Sequence, residues 1–135
     1  MWTYFQCNGL LISEDGLTTL HCYAGMDEGK NNPDMEGVKM KGPLPRGKYR
    51  AEAPFDSKTR GPFAMRLEPY DDNDMLGRSA FMYHADSIKN PGKASNGCIV
   101  SIGTPQISGR KEREIFWKSG DPDIEVKSGL SERLI

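Results

Sequence analysis

No stretch of this chain is apolar for anything near the roughly 20 residues that a membrane-spanning helix needs, so membrane insertion is not expected. No charge of one sign dominates either. Eighteen Lys and Arg stand against nineteen Asp and Glu, a formal net charge of −1. A nucleic-acid binder needs a basic face to neutralise phosphates, and this balance, with both signs mixed along the chain, argues against one. The run Met1-Trp2-Thr3-Tyr4-Phe5-Gln6 lacks the basic start and apolar stretch of a signal peptide and reads as a strand. Cysteine is scarce: Cys7, Cys22 and Cys98 are an odd number, which leaves at least one thiol unpaired in a monomer. No Cys-x-x-Cys or His-x-x-x-His spacing occurs. His21, Cys22, His84 and Cys98 therefore do not read as a zinc site, and neither metal nor cofactor is expected.

What the chain has in quantity is glycine and proline, fifteen and nine in 135 residues. They are too many for a helical bundle, and their spacing is that of short strands and turns. The length suits a single domain, residues 1–135, with one core. Residues 2–12 and 17–24 read as a hairpin around Asp15-Gly16. If Ser13 to Gly16 form the loop, Ile12 faces Leu17 and Cys7 faces Cys22, where either a disulfide or two buried thiols would fit. Residues 25–42 are a long polar loop. Strands are expected at Lys48 to Ala51, Phe63 to Leu67, Ala80 to Tyr83 and Asp123 to Lys127, and a helix at Gly109 to Lys118 closed by Ser119-Gly120.

The stretch from Tyr83-His84-Ala85-Asp86-Ser87 to Ser95-Asn96-Gly97-Cys98-Ile99-Val100 carries the chemistry. A thiol is only a few per cent ionised at neutral pH, and a neighbouring imidazole can take its proton and hold the sulfur as a reactive ion pair. His84 ends one apolar segment and Cys98 begins another, with a polar loop between to fold them together. Gly97 permits unusual backbone angles, so the N–H groups of Asn96, Gly97 and Cys98 can converge on one oxygen as an oxyanion hole. As bare spacing, the same residues also fit a Cys packed as an apolar filler beside an unrelated His. Asp86 is a candidate orienter of His84 or a plain surface carboxylate. Tyr83 and Tyr49 line a cleft or belong to the core.

His84 followed by Ser95-Asn96-Gly97-Cys98-Ile99 resembles the His…Ser-x-Gly-Cys signature of the L,D-transpeptidase catalytic domain. Gly42-Pro43-Leu44-Pro45-Arg46-Gly47-Lys48-Tyr49 is similar to the Pro-x-Gly-x-Tyr/Phe segment before that family's central strands, and the late helix and strand agree with its ending. The resemblance covers roughly residues 20–127 and is closest to the compact L,D-transpeptidase-like effectors of type VI secretion; related sequences occur in phages. It implies a mostly β fold, an L,D-transpeptidase-like β-sandwich with one short C-terminal helix. It also implies Cys98 as nucleophile, His84 as base, and Ser95 bracing the loop through its hydroxyl. The implied substrate is the peptidoglycan tetrapeptide stem, cut or exchanged at its terminal D-alanine. The implied setting is a target cell's periplasm, reached without a leader through a secretion machine, with a cognate immunity protein as partner. Standard members carry Gly after the catalytic-loop His and Arg two residues beyond the Cys; this chain has Ala85 and Val100. The rival readings are a thiol peptidase or amidase of other specificity, and a non-enzymatic cell-wall binding module in which Cys98 is packing.

Overall fold

The computed structural model of the protein describes residues 1–129. Its strands are β1 (Trp2–Phe5), β2 (Leu10–Ile12), β3 (Thr19–Tyr23), β4 (Gly47–Ala51), β5 (Phe55–Ser57), β6 (Gly61–Pro69), β7 (Phe81–Ala85), β8 (Ile99–Ser101) and β9 (Asp123–Lys127), with helix α1 (Gly109–Lys118) between β8 and β9. The fold is mostly β with one short late helix, as the composition requires. The strands run in the order β4-β9-β1-β2-β3-β8-β7-β6-β5, and a further pairing of β4 with β6 closes eight of them into a barrel-like ring. The two layers of the anticipated sandwich are thus opposite walls of one closed sheet, which leaves only β5 as an edge. β1–β9 and β7–β8 are parallel pairs; the other neighbours are antiparallel.

Side chains alternate across a strand, and the register assigns one face to the core. Trp2, Tyr4, Leu11, Leu20, Ile99, Tyr83, Leu67, Tyr49 and Ile124 are all buried in one cluster. Phe116 of α1 enters this cluster between Trp2 (centroids 5.4 Å apart) and Tyr83 (5.6 Å, edge-on). Ser108 caps the helix, its hydroxyl accepting from the Lys111 N–H, and Ser119 closes it, the end that the sequence indicates. Among the described residues no helix is long and apolar enough to cross a membrane.

The N-terminal hairpin differs from the sequence reading. Residues 2–12 form two strands that pair with each other, Tyr4 opposite Leu11, with the turn at 6–9. On the next pairing Ile12 faces Thr19, not Leu17. The loop is wider than expected because the Ser13 N–H donates to the Thr18 carbonyl (2.9 Å) and Asp15 accepts from Ser13 Oγ and the Leu17 N–H. Leu17 is left 85% exposed. The two-residue shift puts Gly9 opposite Cys22, whose N–H donates to the Gly9 carbonyl at 2.9 Å, so Cys7 and Cys22 do not meet. All three cysteines are free. Ellman titration of the chain unfolded without reductant should therefore count three thiols; a count of one would restore the Cys7–Cys22 bond.

Candidate active site

Parallel strands need a crossover, usually of a dozen or more residues, and the segment from Asp86 to Cys98 supplies the one between β7 and β8. Tyr83 pairs with Ile99 and His84 with Val100. His84 and Val100 therefore share the face opposite the core, and Cys98, two residues before Val100, continues that face. His84 thus lies on β7, and Cys98 immediately precedes the adjacent strand β8. Both are buried, His84 1% and Cys98 7% exposed, because the loops on either side fold over them.

Each loop has an identifiable anchor. Asp86 accepts from the Tyr23 hydroxyl (2.6 Å) and from the Ser87 and Gly92 N–H groups, while the Tyr23 oxygen accepts from the Ala94 N–H. The Asp86 carboxylate therefore closes the crossover and does not orient His84. That part belongs to the Ala85 carbonyl, 2.7 Å from His84 Nδ1. Ser95, fully buried, braces the loop through its hydroxyl: it donates to the Cys98 carbonyl (2.6 Å) and accepts from the Gly25 and Gly97 N–H groups. The Gly97 N–H is consequently turned away from any oxyanion, which leaves Asn96 and Cys98 of the three anticipated donors. Tyr49 donates to the Pro45 carbonyl (2.7 Å) and Tyr83 packs on Phe116. Both are fully buried core residues and line no cleft.

Arg78, which no motif marks in the sequence, is the second anchor. Its buried guanidinium donates to the carbonyls of Glu36, Gly42, Pro43 and Asn96 at 2.6–3.0 Å and lies over the Phe81 ring. It thereby ties the 36–43 segment to the residues before Cys98, and its charge is met by carbonyl oxygens in place of a carboxylate. Gly97 has φ +137°, and a Cβ there would come within 2.5 Å of the Arg78 Nη2 and 2.8 Å of Phe81. Only glycine allows this approach.

Burial pushes the His84 imidazole down to about 4, against the pull of its bond to Ala85. Burial likewise pushes the Cys98 thiol up, opposed by the Met82 N–H and by the positive charge of Arg60 and Arg78. At neutral pH the resting pair is thus a neutral thiol and a neutral imidazole, not the expected ion pair. The Nδ1–H bond to Ala85 fixes the tautomer with the Nε2 lone pair free, and Nε2 is buried with no partner. No hydrogen bond joins it to the sulfur in this structure; catalytic bonds are often long before substrate arrives. Two adjoining cavities open on the pair. One, about 730 Å³, is lined by His84; the other, about 360 Å³, by Cys98 and Asn96; Arg60 stands at both. No cluster of metal ligands occurs among the described residues.

Two outcomes follow. An imidazole with a depressed pKa makes the folded state refuse a proton that the unfolded chain accepts between about pH 6.5 and 4. His84 therefore contributes its stability fully above pH 6.5 and loses it as pH falls towards 4, by roughly 3 kcal/mol at most. Urea unfolding at about pH 7 and about pH 4 should show a larger loss in wild type than in His84→Gln; equal losses would mean that His84 titrates normally in the fold. Gly97→Ala should displace Arg78 or the Cys98 loop, lowering thiol reactivity and activity at least about tenfold while far-UV circular dichroism is kept. Full activity in that variant would remove the glycine requirement.

No curated protein and no solved structure matches the chain. The family model of the Tlde1 domain matches residues 18–113, a span that starts just before β3 and takes in the anchors at Tyr23, Arg78 and Asp86, the His84–Cys98 pair and the start of α1. With most of its length and the whole of this site inside that match, the chain belongs to the Tlde1 domain family, which suggests a type VI secretion effector of L,D-transpeptidase-like kind.

Proposed function

We propose that the protein is a cysteine acyl-transfer enzyme that acts on the tetrapeptide stems of bacterial peptidoglycan. Cys98 Sγ attacks the carbonyl of the third stem residue, diaminopimelate, at its L-centre. The resting pair is neutral, so the thiol proton passes to His84 Nε2 as the sulfur–carbon bond forms. The Asn96 and Cys98 N–H groups are the donors left to hold the oxyanion, which costs no reorganisation because Ser95 and Arg78 already fix their loop. Collapse of the tetrahedral intermediate breaks the amide, and His84 returns the proton to the departing D-alanine amine. The thioester on Cys98 then passes to water, to a free D-amino acid, or to a second stem.

The observation that carries this reading is the parallel β7–β8 pairing. It sets a thiol and a neutral imidazole of fixed tautomer on one face in a chain of an L,D-transpeptidase-like family. A module that only binds has no use for a buried, partnerless Nε2. Type VI delivery into the periplasm of a target cell, with an immunity protein guarding the producer, follows from the family and suits a substrate that lies outside the inner membrane.

Mass analysis of muropeptides from sacculi incubated with the protein tests it. Wild type should convert tetrapeptides to tripeptides, or to tetrapeptides with an exchanged fourth residue, and Cys98→Ala should do neither while unfolding at the same denaturant concentration. Cleavage elsewhere in the stem would point to a thiol amidase of other specificity, and activity in Cys98→Ala would end the mechanism.

A further inference from the structure

The chain as a whole is nearly neutral, yet the cavity beside His84 is not. Arg60, Lys89, Lys93, Arg110 and Arg113 line it against one acid, Asp86. That acid is already held by the Tyr23 hydroxyl and two N–H groups. Arg113 is engaged with Ser101 Oγ and the Phe63 and Pro62 carbonyls, and Arg110 with Glu114. The side chains of Arg60, Lys89 and Lys93 make no hydrogen bond or ion pair among the described residues; of these, Arg60 also acts on His84 through its charge. Gly109 and Arg110, at the positive end of the ten-residue helix α1, close the far wall, where the helix dipole favours an anion. His84, with its partnerless Nε2, also lines this cavity. Unspent positive charge, a helix start and a buried unsatisfied nitrogen thus converge on one space.

We infer that the His84 side is the subsite for the amine component of the transfer, and that Arg60 and Lys93 hold that component's α-carboxylate. This rests on the acyl-transfer reading above. The amine that leaves takes its proton from Nε2 and the amine that enters gives one to Nε2, so by microscopic reversibility both occupy the space next to that nitrogen. In the second half-reaction the acceptor's ammonium first loses a proton to solvent. Its nitrogen then attacks the thioester carbonyl, an amide bond forms and the carbon–sulfur bond breaks. The second proton on nitrogen moves to Nε2 and on to the Cys98 sulfur. A free amino acid carries its carboxylate one carbon from this nitrogen, in the same cavity that the cations line. The acyl donor is then left to the smaller cavity at Cys98.

The space is far larger than alanine fills, and the exposed Ile88 and Ile102 stand on its wall. An acceptor with a long apolar side chain therefore fits, provided its carboxylate is free. The subsite selects for the carboxylate and tolerates the side chain.

The test uses the full chain acylated on Cys98 by a tetrapeptide, followed by intact mass as D-methionine or D-methioninamide is added. D-methionine should reach half-maximal deacylation at a concentration about tenfold below the amide, as a charge-assisted contact requires. In the Arg60→Gln/Lys93→Gln double variant the two concentrations should converge, and Arg60→Lys/Lys93→Arg should restore the gap, which separates lost charge from lost folding. Equal concentrations in wild type, or a gap that survives the double variant in a folded protein, would overturn the subsite and leave the acyl-transfer reading standing. Failure of any tetrapeptide to acylate Cys98 would overturn that reading, and the subsite with it.

Discussion

The pairing of β7 with β8 in parallel is the constraint on which the site depends. In an antiparallel hairpin a short turn would have sufficed and His84 and Cys98 would have been placed differently. A parallel pair instead needs a crossover, and here that crossover carries Asp86, Ser95 and Gly97 as its anchors. The register Tyr83↔Ile99 gives Tyr83 and Ile99 to the core and His84 and Val100 to the other face. A one-residue slip would exchange them, burying the imidazole in the barrel and turning Tyr83 outward. The barrel's closure and the insertion of Phe116 against Tyr83 oppose such a slip, since either change would break the core.

Loop burial then sets the electrostatics. The loops that cover the face opposite the core take His84 and Cys98 out of water, and desolvation favours the uncharged form of each. The pair rests neutral, and in the proposed reaction it becomes ionic only as bonds change, when the developing charge on the sulfur and the oxyanion would meet Arg60, Arg78 and the N–H groups at the sulfur. Arg78 does this work with its guanidinium already fixed by four carbonyls, so no side chain has to be ordered at the moment of reaction. Arg60 is different. It lines both cavities, and its side chain has no hydrogen-bond or ion-pair partner among the described residues, so its charge is available to whichever anion enters.

Where the sequence was legible, the information was local. The helix was readable from its Ile115-Phe116-Trp117 cluster and the Ser119-Gly120 end. The strands expected at Ala80 to Tyr83 and at Asp123 to Lys127 were readable, the first from a short apolar run and the second from alternation. The short strand Phe55–Ser57 was not, because three residues with one exposed side chain carry no period. The hairpin register failed for a related reason: Leu17 is apolar but sits on a turn held by Ser13 and Asp15 side chains, which outweigh its own preference for burial. Within the motif at 95–98, the Ser95 hydroxyl donates to the Cys98 carbonyl and accepts from the Gly97 N–H. Arg78 was illegible because its partners are backbone carbonyls from three separate segments, which leave no mark in residue identity.

The fold holds His84 as a neutral imidazole, proton on Nδ1 and lone pair on Nε2. The nitrogen-15 chemical shifts of the His84 ring, followed by NMR from about pH 7 down to about pH 5, read this directly. The Nδ1–H tautomer is expected throughout, with the ring predominantly neutral over that range, in keeping with a pKa held down to about 4. An Nε2–H tautomer, or protonation near the ordinary histidine value of 6.5, would contradict it.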